Sequence, residues 1–356
     1  MQVSAGHVHI FTPDRQLDGP EGAPHNQTSR RTTRGVRIQL EEFMKRAFRT
    51  SALTGAFALA FAATAGAQQV TMMTGPQGGV WVPLGGALKG MWEKAIPGLQ
   101  ITASPGAGIA NVRGVDEDKA HIGFGNTITT VDGVVGRPPF PRKLTKVCNI
   151  ASLYPQYFQV VVRADAKINT IADLKGKSLV TQPKGNTAEL VTQELLAANG
   201  VSYSQLKVSY QSYTDAVDMV KDGHAQAFTL GTTIPSSAVM DLASARDVKL
   251  LPVTDAEVAA MRKTNRGYIK ATIPANTYAK QDKPVDVIAY ATHIVVSCNL
   301  PEQTVYTMVK TMASNIGDLA AVNKAIAGLT PKAMAEDVGV PFHPGAIKFY
   351  KEVKAM

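Results

Sequence analysis

The chain has 356 residues, of which 45% are hydrophobic and 18% charged, with a formal net charge of +9. This composition is globular, and a cysteine count of 2 excludes a disulfide-dense scaffold. The basic residues are scattered and lack aromatic interleaving, which argues against a nucleic-acid interface and is compatible with attraction of an anionic solute.

Residues 1–43 are polar, contain Gly, Pro and several Arg, and show neither helical nor strand periodicity. They read as a disordered, non-native upstream extension, with Met44 as the true initiator. From Met44 onward a basic stretch (Lys45, Arg46, Arg49) precedes an apolar core over 52–63 and then Ala65-Gly66-Ala67, the small-residue pattern of a signal-peptide cleavage site. The apolar core is shorter than the roughly 20 residues a membrane-spanning helix needs. Segment 44–67 is therefore expected to be a signal peptide cleaved after Ala67, so that the exported protein begins at Gln68. The 289 residues that remain suffice for two lobes, each with its own core. No second apolar run in them reaches membrane-spanning length, so a protein in solution is expected, with a monomer as the default.

The exported portion alternates short apolar strands with helical stretches, the signature of an α/β fold on mostly parallel sheets. A strand over 70–74 leads through a Gly-rich turn to a helix over 83–92. A second strand spans 99–103 and runs into a helix over 109–117, and a third strand spans 121–125. All three strands end in loops rich in Gly, Ser, Asn or Thr, and such loops gather at the carboxyl edge of a sheet, where ligands bind in this fold class. After Tyr154-Pro155 the pattern begins again. Strands are expected over 158–163, 178–181, 207–210, 227–230 and 249–253, with helices between them. One of those helices, over 188–199, stops at Gly200 as a helix C-terminus should. Residues 285–298 read as a helix running into the β-forming Ile294-Val295-Val296. Two amphipathic helices, 302–314 and 318–327, then return to pack on the first lobe.

Two loops have the residues to hold an anion. Gly78 and Gly79 allow close backbone approach and positive φ, and the following helix, with Pro83 in its first turn, points its partial positive end at that loop. A carboxylate placed there gains hydrogen bonds from Val80 and its neighbours together with the dipole. In the second lobe, Lys184-Gly185-Asn186-Thr187 leads directly into a helix that Asn186 or Thr187 can cap, leaving free N–H groups toward the cleft; Lys184 adds either a charge or a solvated loop side chain. Asn126 and Thr127 at the end of the third strand, Tyr154 before the first crossing, Thr232 after a second-lobe strand, and Trp81 as either pocket wall or core complete the candidates. Catalysis has little support. The four histidines after residue 67 (His121, His224, His293, His343) form no metal-ligand spacing, and neither a nucleophile elbow nor a phosphate-binding P-loop is present. No cofactor, metal or enzymatic activity is expected. Cys148 and Cys298 are compatible with one disulfide or with two separate buried thiols.

The segment Thr74-Gly75-Pro76-Gln77-Gly78-Gly79-Val80-Trp81-Val82-Pro83-Leu84-Gly85-Gly86-Ala87-Leu88 resembles the opening motif of the TAXI-type solute-binding proteins of tripartite ATP-independent periplasmic (TRAP) transporters. Gly106-Ala107-Gly108-Ile109-Ala110-Asn111, Leu153-Tyr154-Pro155, Ile171-Ala172-Asp173-Leu174-Lys175-Gly176-Lys177, Gly185-Asn186-Thr187, Asp222-Gly223-His224-Ala225-Gln226-Ala227-Phe228 and Ile273-Pro274-Ala275-Asn276-Thr277-Tyr278 follow in family order. Two departures are Trp81-Val82, where an aromatic pair is usual, and Lys184-Gly185-Asn186-Thr187, where Gly-Ser-Gly-Thr is usual. The resemblance implies a type II periplasmic binding-protein fold. Two α/β lobes (68–155 with 281–356, and 156–280) would be joined by two crossing strands and close on a small carboxylate, glutamate-like or a dicarboxylate. The solute would pass to a sodium-coupled membrane permease. In that fold the strand near 149–153 and the strand ending at Cys298 lie side by side, which brings Cys148 and Cys298 together as a disulfide. The alternatives are a binding protein of another importer or a sensor, and an exported α/β enzyme.

Overall fold

The structure, a computed structural model, describes residues 68–356. The expectations for the upstream extension (1–43) and the signal peptide (44–67) fall outside the described residues.

The first lobe is built from β1 (Gln68–Met73), α1 (Trp81–Ala95), β2 (Leu99–Ser104), α2 (Gly108–Asp116), β3 (Ile122–Asn126) and α3 (Thr127–Val135). The long strand β4 (Val147–Arg163) leads out of it. The second lobe contains β5 (Ser178–Thr181), α4 (Thr187–Ala198), β6 (Lys207–Tyr210), α5 (Tyr213–Lys221), β7 (Ala227–Thr232), α6 (Ser237–Ala245), β8 (Val248–Leu250), α7 (Asp255–Thr264) and β9 (Ile269–Ile273). Strand β10 (Val285–Ser297) returns, and α8 (Glu302–Ser314), α9 (Ile316–Val322), α10 (Pro331–Met334) and α11 (Pro344–Glu352) follow.

The strands form one curled sheet in the order β2-β1-β3-β10-β4-β7-β5-β6, with β8 on β4 and β9 on β10. β1 pairs in parallel with β2 and β3, and β5 in parallel with β6 and β7. Between these two parallel halves run β4 and β10, antiparallel to each other from Ser297↔Val147 to Ile288↔Phe158. Seen from either side the order is the same: an outer strand, the lobe's first strand, its third strand, then the two crossing strands. Pro155, which has no N–H to give to a ladder, is exposed within β4 and lies opposite Ala291, where the chain passes from one half to the other.

Apolar layers cover both faces of each half. In the first lobe, Leu84, Leu88 and Trp92 of α1 pack with Val305, Met308 and Met312 of α8 on Val70, Met72 and Ile150 of the sheet. Ile109, Val112 and Val115 of α2 pack with Phe140 and Val295 in a separate layer. In the second lobe Val191 and Leu195 of α4 share a layer with Leu179, Ala227 and Ile288, while Val217 and Val220 of α5 share another with Val180, Phe228 and Val287.

The expected helix at the start of 285–298 is not there; the whole segment is β10. Val285, Val287, Ile288, Tyr290 and Thr292 favour extended backbone, and the strand is paired with β4 from Ile288 onward and, on the other edge, with β9 over Val285–Ala289 and β3 over Thr292–Val296. Burial on both faces erases the alternation that would have marked a strand. The expected helix 318–327 is also broken. α9 ends at Val322, and the Asn323 side chain accepts from the Ala325 N–H to start a separate 3-10 turn at Lys324–Ile326. Cys148, at the start of β4, and Cys298, just past β10, form a disulfide with their Cα atoms 5.1 Å apart.

Candidate functional site

The carboxyl ends of β1 and β3 from one lobe and of β7 from the other open on a common gap. After β1 the chain turns at Gly78, whose φ is +79°. A side chain there would also strike Thr214 of α5, with a Cβ only 2.7 Å from Thr214 Oγ1. The Gly79 N–H donates to Pro76 O at 3.0 Å and closes the turn. α1 begins two residues earlier than expected, so Pro83 is its third residue, where a missing N–H costs nothing. No side chain caps α1, and among the described residues neither the Val80 nor the Trp81 N–H has an acceptor. Two donors at the positive end of a 15-residue helix are thus left free at the gap.

At that spot lies a cavity of about 20 Å³, lined among others by Gly79, Val80, Trp81, Asn126, Asn186 and Thr232. Those six are sequence candidates. The same wall includes residues that sequence reasoning missed: Pro76, Gln156, Tyr213, Gly231 and Tyr290. No charged side chain lines it among the described residues.

Each wall residue is held by its neighbours. Trp81, 6% exposed, stacks on Phe124 of β3 at 5.4 Å between ring centroids. Gln156 of β4, turned so that both ends of its amide are satisfied, accepts from Trp81 Nε1 at 3.1 Å and donates to Gly231 O at 2.7 Å. One side chain on a crossing strand therefore ties the first lobe's pocket wall to the second lobe's. Tyr213 donates its hydroxyl to Gly231 O at 2.9 Å, and Gly231 is a glycine because a Cβ there would lie 2.0 Å from the Tyr290 hydroxyl. Burial holds the phenols of Tyr213 and Tyr290 above their ordinary pKa, so both stay neutral donors. Tyr290 Oη and Asn126 Oδ1 are buried without a partner among the described residues. Buried polar atoms are seldom left unsatisfied, and two of them on one small cavity mark a place made for a polar guest.

The remaining candidates lie elsewhere. Thr187 and Gly185 belong to the contact between lobes: the Ala110 N–H donates to Gly185 O at 3.0 Å, and Thr187 Oγ1 lies 3.2 Å from Thr129 Oγ1. Gly108 sits against Thr187 so closely that a Cβ would come within 2.3 Å of its hydroxyl. Asn186, already on the cavity wall, also caps α4 by accepting from the Ala188 N–H at 2.8 Å, which satisfies one of that helix's donors internally. Lys184 is exposed on the loop and does not reach the cavity wall. Thr127 faces a groove of about 640 Å³ that also contains Lys263, Asn265 and Arg266. Tyr154 is buried within β4, its phenol pushed above the ordinary range by burial, and does not line the cavity. Behind the site His293 is fully buried, with Nε2 2.7 Å from Thr130 Oγ1; burial alone pushes its pKa down to about 3, so the imidazole is neutral.

Two parallel-stranded lobes with the same strand order, exchanging two antiparallel strands and meeting over a polar cavity, define the type II periplasmic binding-protein fold. The chain belongs to the NMT1-like family, whose profile matches residues 72–353. Among solved structures it is similar to the alkanesulfonate-binding protein SsuA from Xanthomonas axonopodis pv. citri bound to MOPS, with 16% identity over 81% of this chain and 85% of that one and a TM-score of 0.45. A putative L-cystine ABC transporter from Listeria monocytogenes matches at 15% identity over 74% and 97% of the two chains, TM-score 0.47. A protein of Bordetella bronchiseptica RB50 matches at 17% identity over 81% and 89%, TM-score 0.48.

Proposed function

We propose that this chain is an extracytoplasmic solute-binding protein that takes up a small carboxylate between its lobes and hands it to a membrane permease. The observation that carries this reading is the uncapped N-terminus of α1. Its free Val80 and Trp81 N–H groups open on a cavity where the Tyr290 hydroxyl is buried and unpartnered. A carboxylate seated there is met by backbone donors, a neutral phenol and a helix dipole, a combination suited to anions without any formal positive charge. Hinge motion at the crossing strands links binding to closure, with lobes of 68–155 plus 281–356 and of 156–280.

The TAXI-like motifs support a TRAP-type permease as recipient, glutamate-like amino acids or dicarboxylates as first candidates, and release into the periplasm after cleavage behind Ala67. Calorimetry of the protein beginning at Gln68 against a panel of organic acids and amino acids is the direct test: saturable binding without chemical change is expected, and turnover of a ligand would replace this reading with an enzymatic one. Uptake into vesicles separates the importer types, since dependence on a sodium gradient supports the TRAP assignment and dependence on ATP refutes it.

A further inference from the structure

The inner cavity is too small for a whole organic acid. A volume of about 20 Å³ admits on the order of one or two water-sized groups, enough for the two oxygens of a carboxylate. The rest of the solute must extend outward, and the cavity shares Gly79, Val80 and Thr232 with a groove of about 560 Å³. That volume lies within the roughly 300–1,000 Å³ range of small-molecule sites. The groove at the hinge side shares only Tyr290 with the cavity.

Both lobes place apolar side chains on the outer groove, interleaved on the second with the hydroxyls of Thr233, Ser236 and Ser237. Val82 and Val322 of the first lobe and Met240 of the second are 41%, 39% and 47% exposed, and they are three of the eight large hydrophobic residues exposed among those described. Ile234 and Pro235 add to the second lobe's apolar side chains. Scattered apolar residues on a surface need no explanation, but a cluster beside a polar cavity does. Among the described residues neither cavity nor groove is lined by an acidic side chain that could hold an ammonium, and Lys324 is the single charged residue on the groove.

We infer that the solute is an amphiphilic monocarboxylate, its carboxylate in the inner cavity and an apolar tail of several carbons along the groove between Val82, Val322 and Met240. This rests on the solute-binding reading above and narrows it, away from α-amino acids and short dicarboxylates.

Affinity measured by calorimetry along the series butyrate, hexanoate, octanoate should rise by about three- to fourfold per methylene, the equivalent of ~0.8 kcal/mol for each CH₂ buried. Met240→Glu, at an exposed position, should weaken octanoate by about tenfold or more and butyrate by clearly less, with the melting curve of the free protein unmoved. Flat affinity along the series, or preference for glutamate, succinate or octanedioate over octanoate, overturns the inference while leaving the solute-binding reading standing. Preference for octanedioate would assign Lys324 to a second carboxylate. A Met240→Glu variant that binds octanoate normally but fails in uptake would assign the groove to the permease and likewise overturn it. If no organic acid binds at all, both readings fall.

Discussion

The two lobes present the same local device, a strand, a glycine-containing loop and a helix, but finish it differently. In the first lobe α1 is left uncapped, and its free N–H groups open on the cavity; in the second, α4 is capped by Asn186 and its start is engaged in the contact between lobes. The lobe with the unsatisfied helix is also the cross-linked one, with its two crossing strands joined by the disulfide and overlaid by α8 and α11. Unsatisfied donors cost stability until a ligand arrives, so they are best carried by the more constrained half. The second lobe contributes completed walls, Tyr213, Gly231 and Thr232.

The sharpest way to break this contrast is to remove the cross-link. Replacing Cys148 and Cys298 by Ala together should cost about 4 kcal/mol, within the range of roughly 2–5 for native disulfides closing long loops, measured by urea unfolding under oxidising conditions. A loss below about 1 kcal/mol would show that the first lobe's rigidity comes from packing alone.

His293 tests the same lobe through pH. Its folded pKa is pushed down to about 3 against an ordinary 6.5, so between those values the unfolded chain binds the extra proton. Its contribution is complete above pH 6.5 and is lost as pH falls toward 3, at up to ~1.4 kcal/mol per pH unit. By pH 4.5 the wild type should have lost about 2–3 kcal/mol more than His293→Gln, relative to each protein at pH 7. Carboxylates titrate in both proteins, so the difference isolates the imidazole; parallel stability profiles would contradict the burial argument.

Closure is tested at Gly78, where an added Cβ meets backbone at positive φ and the Thr214 hydroxyl of the other lobe. Gly78→Ala should weaken solute affinity about tenfold, ~1.4 kcal/mol, and unchanged affinity would place the ligand away from this loop. Asn186→Ala, which removes the cap of α4, should lower stability by about 1 kcal/mol with a smaller effect on binding. The smallest effect belongs to Lys184→Ala, expected within about 0.5 kcal/mol for stability and without change in affinity. A marked loss of affinity there would restore the loop lysine as a ligand contact.

Much of this was legible along the chain because it is local chemistry. The strands over 178–181 and 207–210 match β5 and β6, and the glycines and the Asn-Thr pair identified the loops at both helix starts, since turn and cap preferences act within a few residues. β10 was not legible at its N-terminal end. A strand buried on both faces has no alternation, and reading a helix at 285 hid Tyr290, which sits on the cavity wall. Gln156 gave no signal either, because its role depends on Trp81 and Gly231 reaching it from opposite lobes.

By itself the sequence determined the strand–loop–helix units, the permissive glycines at 78 and 79 and a cap at 186 or 187, all set by interactions between near neighbours. Only the tertiary structure decided which helix start stays open to a ligand, that Gly108 and Gly231 are needed for close approach by Thr187 and Tyr290, and that an apolar groove continues the polar cavity. Those features come from residues far apart in the chain, brought together when β4 and β10 cross between the lobes.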